Sequence, residues 1–454
     1  MLQVTKKIHA VWTCLPAIKK YKIMKILFIN TLLHGGAAKG AQFLFDLISE
    51  EMKNSKFIYL HGKNETDSRY QKYSDEYWFD MFGSRYISNF IKNRILTPFS
   101  LIIYRNFYKT DPNLMYVSHC RSRFRGIDIY NSDIFHLNWI ANFLDFRDFF
   151  SKEAKNKKII WTLSDMNPFT GGCHYSCDMN GTWCYQYYQG CENCLMLAKN
   201  KNGKMIKKMF QTKYDSINKI KTENMKIVCP SLWVMEESKK SKLFSRFEHI
   251  YISHGVNIDV FNLLERNRVR KKHKLSKDQK VILFVSDIIN DKRKGLLLLI
   301  EAIKGLKLSN IVILTVGKAK IQLPCEAFFN LEIKHYGFIS SDEKMAELYN
   351  CADVFISPSI AESFGFTIAE SLCCGTPVIA FNTSAITEKI TDGENGYLAI
   401  NLDSCSLKEC ISKYFVSGVS LSREEISSSA RNKYSHIVMK NKYLNLYNDI
   451  LKEY

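Results

Sequence analysis

"VFISPSIAESFGFTIAESLCCGTPVIA", Val354 to Ala380, runs from one apolar stretch through a polar loop to a second apolar stretch. The run from Val354 reads as a buried strand, Glu362 falls on the loop, a helix opens near Gly365, and Glu370 lies within that helix. A strand that hands its chain directly to a helix N-terminus presents unpaired N–H groups and the positive end of a dipole, which suit a diphosphate. Gly365 allows the backbone to approach such a group closely. Two carboxylates nearby accept hydrogen bonds from sugar hydroxyls. The stretch therefore matches a nucleotide-sugar.

The same pattern extends in both directions. Upstream, "KILFIN" (25 to 30) precedes a helical pattern through Leu44 and Phe45, followed by "KFIYLH", "DIFHLNW", "KKIIWTLSD", "MKIVCPS" and "HIYISHG". After a charged break, "VILFVSD", "IVILTVG", "LEIKHYG", "VFISPS", "PVIAF" and "GYLAI" resume the rhythm. Continuous apolar runs of this length mark strands covered on both faces, hence parallel sheets flanked by helices. The expected fold is α/β, with two doubly wound Rossmann-like domains in tandem. The expected boundaries are a basic extension over 1–23, a first domain over 24–262, a linker over 263–277, a second domain over 278–433, and a C-terminal helix over 434–454 that returns to the first domain. The aromatic-rich stretch from about 62 to 131 is less regular, and "SRYISNFIKNRILTPFSLIIYRNFY" within it reads as helical.

Bulk properties agree with two cores. The chain has 454 residues, 46% of them hydrophobic and 24% charged, enough to bury two domains of ordinary size. No stretch of about 18 uninterrupted apolar residues occurs, so no membrane-spanning helix is expected. The first 23 residues carry too short an apolar run between lysines for a secretory signal, and Met24 stands as an alternative start. A cytoplasmic location follows as the expectation.

The excess of 64 Lys and Arg over 45 Asp and Glu gives a net charge of +19 and a long-range attraction to polyanions. Basic residues gather at Lys199, Lys201, Lys204, Lys207, Lys208 and Lys213, and again between Arg266 and Lys277. Each run alone reads most simply as a solvated helix face or linker. Neither interleaves the aromatics that a single-strand groove uses for stacking, so no nucleic acid is expected. An anionic membrane surface or a phosphorylated substrate fits the charge.

The stretch from Val354 resembles the E-x7-E signature of retaining glycosyltransferases of family 4, which have the two-domain GT-B fold. Other pieces of that pattern stand in chain order: "HGGAAKGA", "ISHGVNIDVF", "DKRKG", "VGK", "YGFIS", "NCADVFISPS" and "TDGENGYLA". The resemblance runs from about Met24 to the end, is strongest from Val281 to Ile400, and is nearest to the colanic-acid and capsule-type enzymes. It implies that Glu362 meets the donor sugar's hydroxyls and Glu370 the ribose. Lys294, with Arg293 as helper, neutralises the diphosphate leaving group. The loop and first helical turn (Phe364, Gly365, Phe366, Thr367) and the backbone of Phe338 and Ile339 bind the nucleotide, and Gly35 and Gly36 approach the phosphates from the first domain.

The implied reaction is transfer of a glycosyl group to an acceptor hydroxyl with retention, the leaving phosphate itself helping to remove the acceptor proton. No D-x-D triplet occurs, so Lys294 and helix dipoles take the place of a catalytic metal, and no cofactor is expected for catalysis. In the resembling subgroup a strand ends in His-Asp where this chain has Ser164 and Asp165, which are therefore the catalytic candidates there, with His136 and His174 as alternatives. His254 and Asn257 stand where Asn and Asp are usual, in a loop that reads as structural. The subgroup implies a polyprenyl-diphosphate-linked glycan acceptor at the inner face of the cytoplasmic membrane, in surface polysaccharide assembly.

The segment "GGCHYSCDMNGTWCYQYYQGCENC" (171 to 194) holds five of the chain's 14 cysteines, spaced C-x3-C-x6-C-x6-C-x2-C. A closing C-x2-C lets two thiolates reach one tetrahedral ion. By the subgroup's spacing, Cys173, Cys184, Cys191 and Cys194 match a structural zinc set, with Cys177 as an extra thiol; reduced, unligated cysteines and adventitious disulfides are the alternatives. Two other functions compete with the transferase. A nucleic-acid-binding zinc protein would use the cysteines and the charge but leaves E-x7-E unexplained, and a sugar-nucleotide epimerase of GT-B fold would glycosylate no acceptor.

Overall fold

The computed structural model describes residues 24–64, 66–73, 131–141, 143–192, 203–306, 309–318 and 332–452. The basic extension over 1–23 and the stretch expected to be helical, Ser84 to Tyr108, lie outside the described residues.

Among the described residues seven strands form the first sheet: β1 (Ile26–Leu32), β2 (Lys56–His61), β3 (Tyr70–Lys72), β4 (Ile134–Leu137), β5 (Lys158–Thr162), β6 (Met225–Cys229) and β7 (Glu248–Tyr251), in the order β3-β2-β1-β4-β5-β6-β7. Six form the second: β8 (Lys280–Ile288), β9 (Ile311–Lys318), β10 (Glu332–His335), β11 (Val354–Ser357), β12 (Val378–Phe381) and β13 (Gly396–Ala399), in the order β10-β9-β8-β11-β12-β13. Every pairing is parallel.

The continuous apolar runs are explained by two-sided burial. In β1, Leu27 and Ile29 enter one core while Ile26 and Phe28 enter another; in β8, Val281 and Leu283 face one core and Ile282 and Phe284 a second. Side chains alternate across a strand, so a strand buried on both faces needs apolar residues at every position. Each such side chain contributes about 1.5–3 kcal/mol by leaving water.

The helix His436–Lys452 closes one face of the first sheet. Its Met439, Tyr443, Leu444, Tyr447 and Ile450 share a core with Ile26 and Phe28. His136 on β4 is fixed there, with Nδ1 2.6 Å from the Tyr447 hydroxyl and Nε2 2.8 Å from Thr162 Oγ1. Burial lowers its pKa to about 3, so it is a neutral packing residue. Within 263–277 the chain forms the helix Arg266–Lys272, capped by Glu265, whose carboxylate accepts from the N–H groups of Asn267 and Arg268. Arg270 is buried there and donates to Cys351 O at 2.9 Å and to Asp353 Oδ2 at 2.9 Å.

Strand order reverses between β1 and β4 and again between β8 and β11. Ligands of open α/β sheets bind beyond the carboxyl ends of strands at such reversals. The loops that leave those ends carry Gly35 and Gly36 after β1, Asp291 to Gly295 after β8, and Ser359 to Gly365 after β11.

Candidate active site

Two loops of the second sheet are built against each other backbone to backbone. After β8, the Asp291 carboxylate accepts from Arg293 N–H at 2.9 Å and opens a short turn over Lys292–Lys294. Gly295 ends that turn with φ 75°, and a Cβ there would stand 2.2 Å from Pro358 O. Only glycine meets both demands. The close approach lets Ile360 N–H donate to Arg293 O at 3.0 Å and Arg293 Nη1 donate to Ala361 O at 2.9 Å. Gly365, with φ 77°, then starts the helix Phe366–Cys373, and no side chain caps that first turn. Its N–H groups are of the kind that hold phosphates.

Charge converges on the loop after β11. Lys294 Nζ donates to Glu362 Oε1, and Arg293 Nη1 lies 3.6 Å from the same oxygen. Burial pushes the Glu362 carboxyl up, but Lys294 and then Arg293 outweigh it and hold its pKa below the usual 4.5. Glu362 is thus an ionised acceptor. Glu370 sits deeper, accepting from the Tyr349 hydroxyl at 3.0 Å. Burial raises its pKa, against the opposing pull of Lys39.

The first domain closes over this site. Gly35 (φ 89°) and Gly36 border open space, with nothing within 4 Å of a Cβ built at either. One turn later, Lys39 Nζ lies 2.7 Å from Asp342 Oδ1 and 3.8 Å from Glu370 Oε1. Phe366 packs against Gly40, where a Cβ would stand 2.9 Å from its ring, and stacks on His254 with centroids 4.9 Å apart. Phe364 meets the same imidazole edge-on at 5.2 Å. His254, expected in a structural loop, therefore packs on both aromatic residues that flank Gly365.

Ser164 touches the loop through its backbone, its carbonyl accepting from Ser363 Oγ at 2.5 Å. Asp165 is engaged elsewhere: its carboxylate accepts from Trp139 Nε1 at 2.9 Å and from Asn167 N–H at 2.8 Å, and it pairs with His174 Nδ1. Thr367 lies in the first turn of the helix after Gly365. Phe338 and Ile339 lie on the loop after β10, where the exposed Phe338 ring carries Lys318 Nζ 4.5 Å above it. The structure thus brings Lys294, Arg293, Glu362 and Gly365 together. Sequence reasoning missed Lys39, Ser363 and Tyr175, whose hydroxyl accepts from Ser363 N–H at 3.1 Å; Lys39 carried a faint signal, a cation one turn past the Gly35–Gly36 pair.

Three of the four expected zinc ligands, Cys173, Cys184 and Cys191, lie among the described residues. Among the described residues no group of three or more His, Cys, Asp or Glu side chains is placed to hold a metal ion; Cys194, the fourth expected ligand, lies outside the described residues. Burial orders the segment. Cys173, Cys177 and Cys191 belong to the large apolar core together with Tyr175 and Tyr187, and Gly171 N–H donates to Cys191 Sγ at 3.2 Å. A buried cation also stands there: Lys213 Nζ donates to Asn167 O at 2.6 Å and Thr170 O at 3.1 Å. Lys213 is therefore not part of a solvated basic face. In the second run Arg266 and Arg270 turn inward to Asp353, leaving Arg268, Lys271, Lys274 and Lys277 exposed.

Comparison with known proteins gives a consistent picture. Residues 265–433 match the family of glycosyl transferases group 1. The chain is 28% identical over 210 residues to the capsular polysaccharide biosynthesis glycosyltransferase CapM of Staphylococcus aureus, covering 44% of this chain and 54% of that protein. It spans about half the length of the curated relatives it matches. The fold is similar to that of sucrose-phosphate synthase from Thermosynechococcus elongatus, with a TM-score of 0.62 at 16% identity over 95% of this chain and 100% of that one. It is also similar to Anabaena Alr3699/HepE, solved in complex with UDP and glucose, with a TM-score of 0.59 at 13% identity over 94% of this chain and 100% of that one. The chain thus has the GT-B fold, two parallel sheets flanked by helices, and residues 265–433, which hold the whole second sheet, match the glycosyl transferases group 1 family.

Proposed function

We propose that this protein is a retaining glycosyltransferase that moves a sugar from a nucleotide-sugar to a glycan acceptor in surface polysaccharide assembly. The observation that carries this reading is the convergence of Lys294, Arg293 and Glu362 beside the uncapped helix start at Gly365, on the strand reversal of a group 1 glycosyl transferase domain. Resemblance to a capsular polysaccharide enzyme and to a fold solved with UDP and glucose supports the donor class and the setting.

In the reaction, the bond from the anomeric carbon to the phosphate oxygen breaks, and a bond to the acceptor hydroxyl forms on the same face. The acceptor proton passes to the departing phosphate oxygen. Negative charge grows on the diphosphate, where Lys294 and the helix N-terminus stabilise it. Glu362, held ionised, accepts hydrogen bonds from donor sugar hydroxyls and fixes the ring. Glu370 accepts from the ribose, and Gly35 and Gly36 leave room for phosphate from the first domain. Ser164, whose carbonyl accepts from Ser363 beside Glu362, stands toward the donor sugar and the reacting region, and Asp165 holds the His174 imidazole. The acceptor is a polyprenyl-diphosphate-linked glycan, and exposed Arg268, Lys271, Lys274 and Lys277 favour an anionic membrane surface. No helix among the described residues is long and apolar enough to cross a membrane.

The test is incubation of purified protein with a panel of nucleotide-sugars, with and without a lipid-linked acceptor, while nucleoside diphosphate release is followed. Release that depends on the acceptor is the expected result. An altered sugar with no glycosylated acceptor would instead identify an epimerase, and no reaction with any donor would refute the reading.

A further inference from the structure

We infer that Tyr175, carried by the cysteine-rich segment of the first domain, is a positioning residue for the leaving-group cation Arg293 and for the loop that bears Glu362. The inference rests on the nucleotide-sugar reading of the site.

Three contacts define the role. The Arg293 guanidinium lies over the Tyr175 ring, 5.3 Å from its centroid. The Tyr175 hydroxyl accepts from Ser363 N–H at 3.1 Å, the residue after Glu362. Arg293 in turn donates to Ala361 O at 2.9 Å, so one aromatic ring holds both ends of a clamp around Glu362. The loop is also buried by the first domain: Ile360 and Ala361 belong to the same apolar core as Tyr175, Cys173 and Cys177. Burial first, and the Glu362 charge second, keep the Tyr175 hydroxyl neutral.

The cysteine-rich segment is shaped to deliver this residue. Just past Tyr175 the chain folds back on itself, with Cys184 N–H donating to Ser176 O at 2.6 Å and Asp178 N–H donating to Thr182 O at 3.0 Å. The turn is made at Gly181 (φ 79°), where a Cβ would stand 2.1 Å from Leu402 Cδ1 of the second domain. The segment therefore meets the second domain at its turn, at Arg293 and at the loop that bears Glu362. A cation held against an aromatic face loses side-chain freedom before the diphosphate arrives, which strengthens its interaction with the leaving group.

The two parts of the side chain separate in a kinetic test. Tyr175→Phe keeps the ring beneath Arg293 but leaves Ser363 N–H without its acceptor; kcat is expected to fall about fivefold to tenfold, with the donor KM within about twofold. Tyr175→Leu removes the ring as well, and calorimetric affinity for UDP, GDP, ADP or dTDP, whichever the wild type binds, is expected to weaken about threefold to thirtyfold. A residue that only fills space would shift thermal stability in both variants and leave nucleotide affinity unchanged. If Tyr175→Leu does not fold, Tyr175→Phe alone decides: an unchanged kcat overturns the role. Wild-type nucleotide affinity in folded Tyr175→Leu overturns it too. A wild-type protein that binds none of the four nucleotides refutes the nucleotide-site reading itself, and the role of Tyr175 with it.

Discussion

Lys39, on the helix that follows β1, reaches the second domain with Nζ 2.7 Å from Asp342 Oδ1 and 3.8 Å from Glu370 Oε1. The acid assigned to the ribose therefore has a cation supplied by the opposite domain. Burial raises the Glu370 pKa, and Lys39 opposes that rise. A protonated Glu370 offers fewer acceptor positions to ribose hydroxyls, so nucleotide affinity should fall as pH drops through its raised pKa. Lys39→Ala should move that midpoint to higher pH, because the cation that favours the charged carboxylate is gone. Calorimetric titration across pH checks this, and an unmoved midpoint would show that Lys39 does not govern Glu370.

The two glutamates should separate kinetically. Glu362 is placed against the transferring sugar and Glu370 against the ribose, so Glu362→Gln should cut turnover about a hundredfold and change nucleoside diphosphate affinity far less. Glu370→Ala should weaken that affinity about tenfold, the worth of a hydrogen bond to a charged group. Steady-state kinetics and nucleotide titration on the same preparations decide. Wild-type turnover in Glu362→Gln would remove it from the reacting centre.

Lys389 carries a pH signature in stability. It is buried, with Nζ 4.0 Å from the Phe364 ring centroid and 5.3 Å from that of Tyr434. Burial lowers its pKa to about 7 from the ordinary 10.5, with Glu388, Lys433 and Glu362 as the charged neighbours. Between those values the unfolded chain holds a proton that the folded chain does not, so stability rises with pH through this window, by up to about 1.4 kcal/mol per pH unit. Lys213, lowered by burial to about 8, adds the same sign. Denaturant midpoints at pH 7 and pH 9 should therefore differ less in Lys389→Met than in wild type. An identical difference in both would mean that Lys389 is charged in the fold.

How much of this was legible follows from where the information sits in the chain. Both sheets could be read because strands buried on two faces write unbroken apolar runs, as in Ile26 to Ile29 and Val281 to Phe284. β3 could not, because a three-residue edge strand, Tyr70–Lys72, carries no such run. Glu362, Gly365 and Lys294 were legible because each lies in a contiguous motif at a strand end. Tyr175 was not, since its role arises from a contact with Ser363, 188 residues away. The cysteines carry two signals at once: their spacing fits metal ligation, and thiols are also among the most readily buried side chains, as Cys173, Cys177 and Cys191 are here.

The central claim is that Lys294 and Glu362 meet at the leaving group of a nucleotide-sugar. With the donor found by the panel, nucleoside diphosphate release and glycosylated acceptor should be measured together in wild type and in Lys294→Ala. Wild type should release one nucleoside diphosphate per acceptor glycosylated, and Lys294→Ala, folded as judged by its unfolding transition, should do so about a hundredfold more slowly. Transfer at the wild-type rate by folded Lys294→Ala would contradict the account.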